Sequence, residues 1–132
     1  MRIIMLLGSS GCGKTTTLNL VEQELRARGA QTTNRVQQGG NKDDFSALLI
    51  FNGRRIGYLT MGDYSRVILQ CWDQFEQQQC DLFVTACNDR FVKPVRRLNS
   101  YAHNVVRKTR NSDRLSMDAN DLRVLREIVN LI

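Results

Sequence analysis

The stretch Gly8-Ser9-Ser10-Gly11-Cys12-Gly13-Lys14-Thr15 sets glycines, a lysine and a hydroxyl in the spacing G-x-x-x-x-G-K-[ST]. Glycines let the backbone turn its N–H groups inward around an anion. If the run opens a helix, the N-terminus of that helix adds partial positive charge. Lys14 then reaches the β- and γ-phosphates of a polyphosphate, and the Thr15 hydroxyl is a hard oxygen ligand for Mg²⁺. Ser9, Ser10, Cys12 and Thr16 complete the cradle. The spacing predicts a nucleoside triphosphate, ATP or GTP, bound with Mg²⁺.

Such chemistry needs an acid at a nearby strand end, to hold the metal's water shell or to take a proton from the attacking group. Asp63, after the run Tyr58 to Met61, is the first candidate, and Asp89, after Leu82 to Cys87, the second; either could also cap the helix that follows. Charge on a transferred phosphoryl group is best stabilised by a bidentate Arg, and Arg90 stands directly after a strand end. The expected catalytic set is therefore Lys14, Asp63 and Arg90, with Thr15 and Asp63 at the metal. Lys42, Asp43 and Asp44, beside Gly39-Gly40, either touch a second substrate near the terminal phosphate or form a solvated turn. His103, the sole histidine, has no ligand set around it, and Cys12, Cys71, Cys80 and Cys87 form no C-x-x-C pair. The cysteines read as reduced thiols.

The elements that must position these residues follow from local pattern. Arg2 to Leu7 is a continuous apolar run of buried-strand type ending at Gly8. From Lys14 to Arg28, Leu18, Val21 and Leu25 recur at helical spacing, and Gly29 is a C-terminal stop. Thr32 to Val36 is a weak strand candidate. Ala47 to Phe51 and Arg55 to Met61 flank Asn52-Gly53, a pair suited to a type I′ hairpin. A helix over 64–79 carries Val67, Ile68, Cys71, Trp72 and Phe75 on one side, and Asp81 to Cys87 is again strand-like. Pro94 suits a first helical turn, and Val95, Leu98, Tyr101, Ala102, Val105 and Val106 fall on one arc if a helix runs over 94–110. After a polar break at Asn111 to Ser116, Asp118 caps a last helix with Leu122, Leu125, Ile128, Val129 and Ile132 buried.

The glycine motif in its strand, loop and helix setting resembles the P-loop NTPase superfamily, over Arg2 to about Arg28. The spacing G-x-x-G-x-G-K-T-T is similar to that of small nucleoside and nucleotide kinases, which place a nucleotide on this loop and close an Arg-bearing lid over the transferred phosphate. The run GSSGCGKTTTL also looks like the matching segment of ABC transporter ATPases, but no LSGGQ-type signature follows. The hairpin resembles that of small GTPases, yet Met61-Gly62-Asp63 and Cys87-Asn88-Asp89 replace their D-x-x-G and N-K-x-D. The order of hairpin, Gly-Asp, helix and apolar strand looks like small bacterial and phage ATP-binding proteins. The resemblance implies a three-layer α/β/α sandwich that transfers a phosphoryl group to an unidentified acceptor, or hydrolyses ATP. The expected sheet is mostly parallel, with one antiparallel hairpin.

At 132 residues, with 42% apolar and 24% charged, the chain fits a single domain over 1–132. Its longest strongly apolar runs, Ile3 to Leu7 and Ala47 to Phe51, are far below the roughly 20 residues that span a bilayer. No membrane segment is expected. The N-terminal run breaks at Gly8, too early for a secretory signal, which points to the cytoplasm. The net charge of +6 is concentrated: Arg90 to Arg114 holds eight basic residues and one acid. On the helix expected over 94–110, Arg96, Arg97, Arg107 and Lys108 would share a polar face, joined by Arg110. The alternative function is thus a nucleotide-dependent module that docks this face on nucleic acid.

Overall fold

The computed structural model describes residues 1–109 and 117–132, with no account of the side chains of 117–121. The described residues form six strands and four helices, in the order β1 (Arg2–Gly8), α1 (Lys14–Ala27), β2 (Gln31–Gln37), β3 (Phe45–Phe51), β4 (Arg54–Leu59), α2 (Ser65–Gln77), β5 (Leu82–Asn88), α3 (Val92–Arg97), β6 (His103–Arg107) and α4 (Met117–Leu131). A 3₁₀ turn, Leu98–Ser100, extends α3. The strands form one sheet in the order β2-β3-β4-β5-β1-β6.

Alternation in β1 assigns the core to two faces. Ile4 and Leu6 meet Leu18, Val21 and Leu25 of α1 and Val124 and Ile128 of α4. Ile3, Met5 and Leu7 meet Ile68, Cys71, Trp72 and Phe75 of α2 and Leu98 beyond α3. β1 is buried on both sides because helices cover both, as its uninterrupted apolar sequence requires. β5 and β6 flank β1 in parallel, so the tip of β1 lies in a crevice between two other strand ends.

The hairpin forms at Asn52-Gly53, with φ of 52° and 74°, as a type I′ pair demands. The sheet, however, is mixed rather than mostly parallel: β2–β3 and β3–β4 are both antiparallel. β2 and β3 are joined only by residues 38–44, too short for the dozen or so residues of a parallel crossover. β2 is a polar edge strand, and a register shift between Thr33 and Val36 interrupts its pairing.

The larger correction lies in 94–110. The helix stops at Arg97, and Val105 and Val106 sit in β6 instead of on a helical arc. Val106 joins the core on the α1 face and Leu98 the core on the α2 face, so the residues predicted to form one stripe serve two sides of the sheet. β-branched valines gain more by pairing with β1 than by extending a helix. Residues 110–116, including Arg110 and the expected polar break, lie outside the described residues; α4 begins at Met117, ahead of the expected cap at Asp118. All four cysteines are free and buried. Among the described residues, no helix is long and apolar enough to cross a membrane.

Candidate functional site

β1, between β5 and the edge strand β6, carries Gly8 to the carboxyl ends of these parallel strands, and the chain turns through Ser9–Gly13 before α1 starts at Lys14. Gly8 is forced by close approach: a Cβ there would lie 2.6 Å from the Lys108 carbonyl oxygen and 2.7 Å from Cys12 Sγ. Gly13 caps α1 in the left-handed region, with φ of 93° and no side-chain cap. The first turn of α1 holds no acidic residue, so no carboxylate of that turn offsets the positive end of the helix. Lys14 is buried, and its Nζ donates to the carbonyl oxygens of Gly8 at 3.1 Å and Ser9 at 2.7 Å. Its ammonium is thus bound by the loop that it follows.

The next side chain meets an acid. Thr15 Oγ1 lies 3.0 Å from Asp44 Oδ1 and 3.3 Å from the Thr60 carbonyl oxygen, either of which can accept its proton. The segment carrying Asp44 is pinned through the Asp43 carbonyl, which accepts from Asn19 Nδ2 at 2.9 Å and from Thr60 Oγ1 at 3.0 Å. Asp63 lines a hollow of about 230 Å³ with Gly11, Gly13, Lys14, Thr15 and Gly62. It also lines an adjoining cleft of about 450 Å³ with Thr15, Thr16, Asp43 and Asp44. β4 is separated from β1 by β5, but the chain beyond it crosses the gap, where the Gly62 carbonyl accepts from Asn88 N at 2.9 Å. Lys14, Thr15 and Asp63 are therefore brought together, and Asp44 joins them.

Asp89 and Arg90 face elsewhere. The Asp89 amide donates to the Gly8 carbonyl at 3.0 Å, but both residues line a separate hollow of about 470 Å³ with Leu7, Arg96 and Arg107. Arg90 lines neither of the two hollows that Asp63 lines.

The four cations expected on one polar helix face have no common helix. Arg97 pairs with Asp73 at 2.6 Å, its guanidinium carbon 5.4 Å from the centre of the Trp72 ring. Lys108 follows β6 and is buried, its Cε 3.3 Å from the position of a Cβ on Gly13. Burial lowers its pKa, and the charge of Arg123 acts in the same direction. Arg96 and Arg107 line one surface hollow.

Sequence reasoning placed Asp44 in a loop of open purpose, and only the antiparallel return of β3 shows that this loop ends beside Thr15. Lys108 carried a signal of its own, two residues after an apolar Val105-Val106 pair, that a strand reading of 103–107 would have used. No family model, curated protein or solved structure matches the chain.

Proposed function

We propose that the chain binds ATP or GTP at the loop Gly8–Thr15 and transfers the terminal phosphoryl group, as a small kinase-like member of the P-loop NTPases. The observation that carries this reading is the convergence of Lys14, Thr15, Asp44 and Asp63 at the start of α1. A hydroxyl 3.0 Å from a carboxylate, with a second carboxylate on the cleft of about 450 Å³ that both line, is an all-oxygen donor set of the kind Mg²⁺ prefers. Thr15 would bind the ion directly, with Asp44 and Asp63 holding its water shell. When bound, the ion supplies positive charge against the β- and γ-phosphates.

The residues of the chain do the rest. Lys14 exchanges its two carbonyl acceptors for phosphate oxygens, since charge-assisted hydrogen bonds are about twice as strong as those to neutral acceptors. Amides of the glycine loop and the positive end of α1 hold the anion in place. The oxygen of an acceptor hydroxyl bonds the γ-phosphorus and gives up its proton to Asp63 or to solvent, the bond to the β,γ-bridging oxygen breaks, and the nucleoside diphosphate leaves with that electron pair. Lys14 lies where the leaving charge develops. A water acceptor gives inorganic phosphate instead.

The test is incubation with Mg²⁺ and γ-labelled ATP or GTP, with and without DNA and a panel of nucleosides and nucleotides. Label should move to a small acceptor or be released as phosphate. Lys14→Ala, with its circular dichroism unchanged, should lose that turnover. A fully active Lys14→Ala protein overturns the assignment.

A further inference from the structure

We propose that the hollow between the β5–α3 turn, α3 and the tip of β6 is a second anion site, fitted to a phosphomonoester on an apolar or aromatic body. It is separate from the loop Gly8–Thr15 and does not rest on nucleotide binding there.

Its volume of about 470 Å³ lies within the roughly 300–1,000 Å³ of small-molecule pockets. Three exposed arginines line it from three segments: Arg90 after β5, Arg96 from α3 and Arg107 at the end of β6. Among the described residues, none of these three side chains makes an ion pair or a hydrogen bond. Arg26, Arg28 and Arg97 differ, each holding a carboxylate within 2.9 Å. Like charges gathered in one concavity without partners repel, and an anion removes that cost.

The lining also sets the ligand's charge and shape. Among the described residues Asp89 is the one carboxylate on the hollow, so that part of the lining carries a net charge of +2. A phosphomonoester carries about −1.5 to −2 near neutral pH, and arginines bind its oxygens in bidentate pairs. Leu7, Phe91 and Val95 form an apolar wall, and each also belongs to or packs against the core on the α2 face. That wall suits a ring or hydrocarbon body. Nucleic acid is the poorer fit, because a strand needs a continuous track of cations. Arg97 is turned to Asp73, and Lys108 is only 4% exposed.

Titration calorimetry on the full chain tests the site with adenosine 5′-monophosphate, adenosine, inorganic phosphate and a 5′-phosphorylated oligonucleotide of about ten nucleotides. The monophosphate should bind at least about tenfold more tightly than adenosine or phosphate alone, because charge and body are each recognised. Arg96→Ala and Arg107→Ala, checked for native circular dichroism, should each weaken it by about tenfold, with Mg²⁺-ATP binding kept. Lys14→Ala and Arg97→Ala should leave monophosphate binding in place. Unchanged affinity in both Arg96→Ala and Arg107→Ala overturns the site, as does loss of the monophosphate in Lys14→Ala, which would place it on the glycine loop. Tighter arginine-dependent binding of the oligonucleotide overturns it in favour of a nucleic-acid surface. Failure of ATP to bind the wild-type chain, with the monophosphate still held, would instead sink the nucleotide assignment alone.

Discussion

Two hollows of nearly equal size, one lined by Thr15 and the other by Leu7, carry opposite charges. The cleft of about 450 Å³ carries Asp43, Asp44 and Asp63, whereas the one of about 470 Å³ carries Arg90, Arg96 and Arg107 against Asp89 alone. The first is tied together by hydrogen bonds, including Thr15 to Asp44 and Asn19 to the Asp43 carbonyl. The guanidinium groups of the second have no such partners among the described residues. Strand order creates the contrast: the β2–β3 loop returns over the start of α1, while β6 brings its basic end to the far side of β1. Carboxylates in a bonded frame suit a cation held in fixed geometry, and unpaired arginines in a concavity suit an anion that arrives from solution.

The largest effect that separates the two sides should come from Gly8, on which the loop depends. Gly8→Val drives a side chain into the Lys108 carbonyl, and overpacking of this kind costs about 1–3 kcal/mol. Thermal unfolding should show the loss, and ATP binding should go with it; an unperturbed melting temperature would mean that the loop has more room than its geometry allows. Next, Asp44→Asn and Asp63→Asn should each raise the Mg²⁺ concentration needed for half-maximal turnover roughly 10- to 100-fold. Monophosphate binding in the basic hollow should not respond to either change. If Asp44→Asn keeps the wild-type Mg²⁺ requirement, the bond from Thr15 is structural only.

A smaller effect should appear at alkaline pH. Burial raises the Cys87 thiol from 9.0 to about 12 and the Cys71 thiol to about 11. Both pKa values are higher folded than unfolded, so the stability they contribute is fully present below the unfolded value and is lost as pH rises through the folded one. Denaturant midpoints should therefore hold steady with respect to these thiols up to about pH 8 and fall above about pH 9. Cys87→Ala should flatten part of that fall. The smallest effect belongs to Arg97→Ala, which removes a partly exposed ion pair and a cation–π contact worth together about 1 kcal/mol or less. A large loss of anion binding in Arg97→Ala would show that Arg97 turns from Asp73 to the ligand.

What was legible in the sequence is what local pattern encodes. β1, the glycine turn and α1 could be read because an apolar run, glycines and helical spacing follow one another within the first 29 residues. Asn52-Gly53 announced its hairpin in the same way. The segment 92–107 was misread because Val95, Leu98, Val105 and Val106 satisfy a helical arc as well as a short helix followed by a strand. Only pairing with β1, some hundred residues away, decides between them. The same long-range ordering hid the neighbours of the candidate site. Nothing near Asp44 in sequence shows that it ends 3.0 Å from Thr15, and nothing near Lys108 shows that its backbone closes over Gly8.

Equilibrium binding tests whether Lys14 and its loop hold a nucleoside triphosphate, without requiring an acceptor. Titrating Mg²⁺-ATP and Mg²⁺-GTP into the wild-type chain and into folded Lys14→Ala should give saturable binding to the first and a loss on the order of 100-fold in the second. Removing Mg²⁺ with a chelator should weaken wild-type binding as well. Equal affinity of the two proteins, with or without Mg²⁺, would contradict the account.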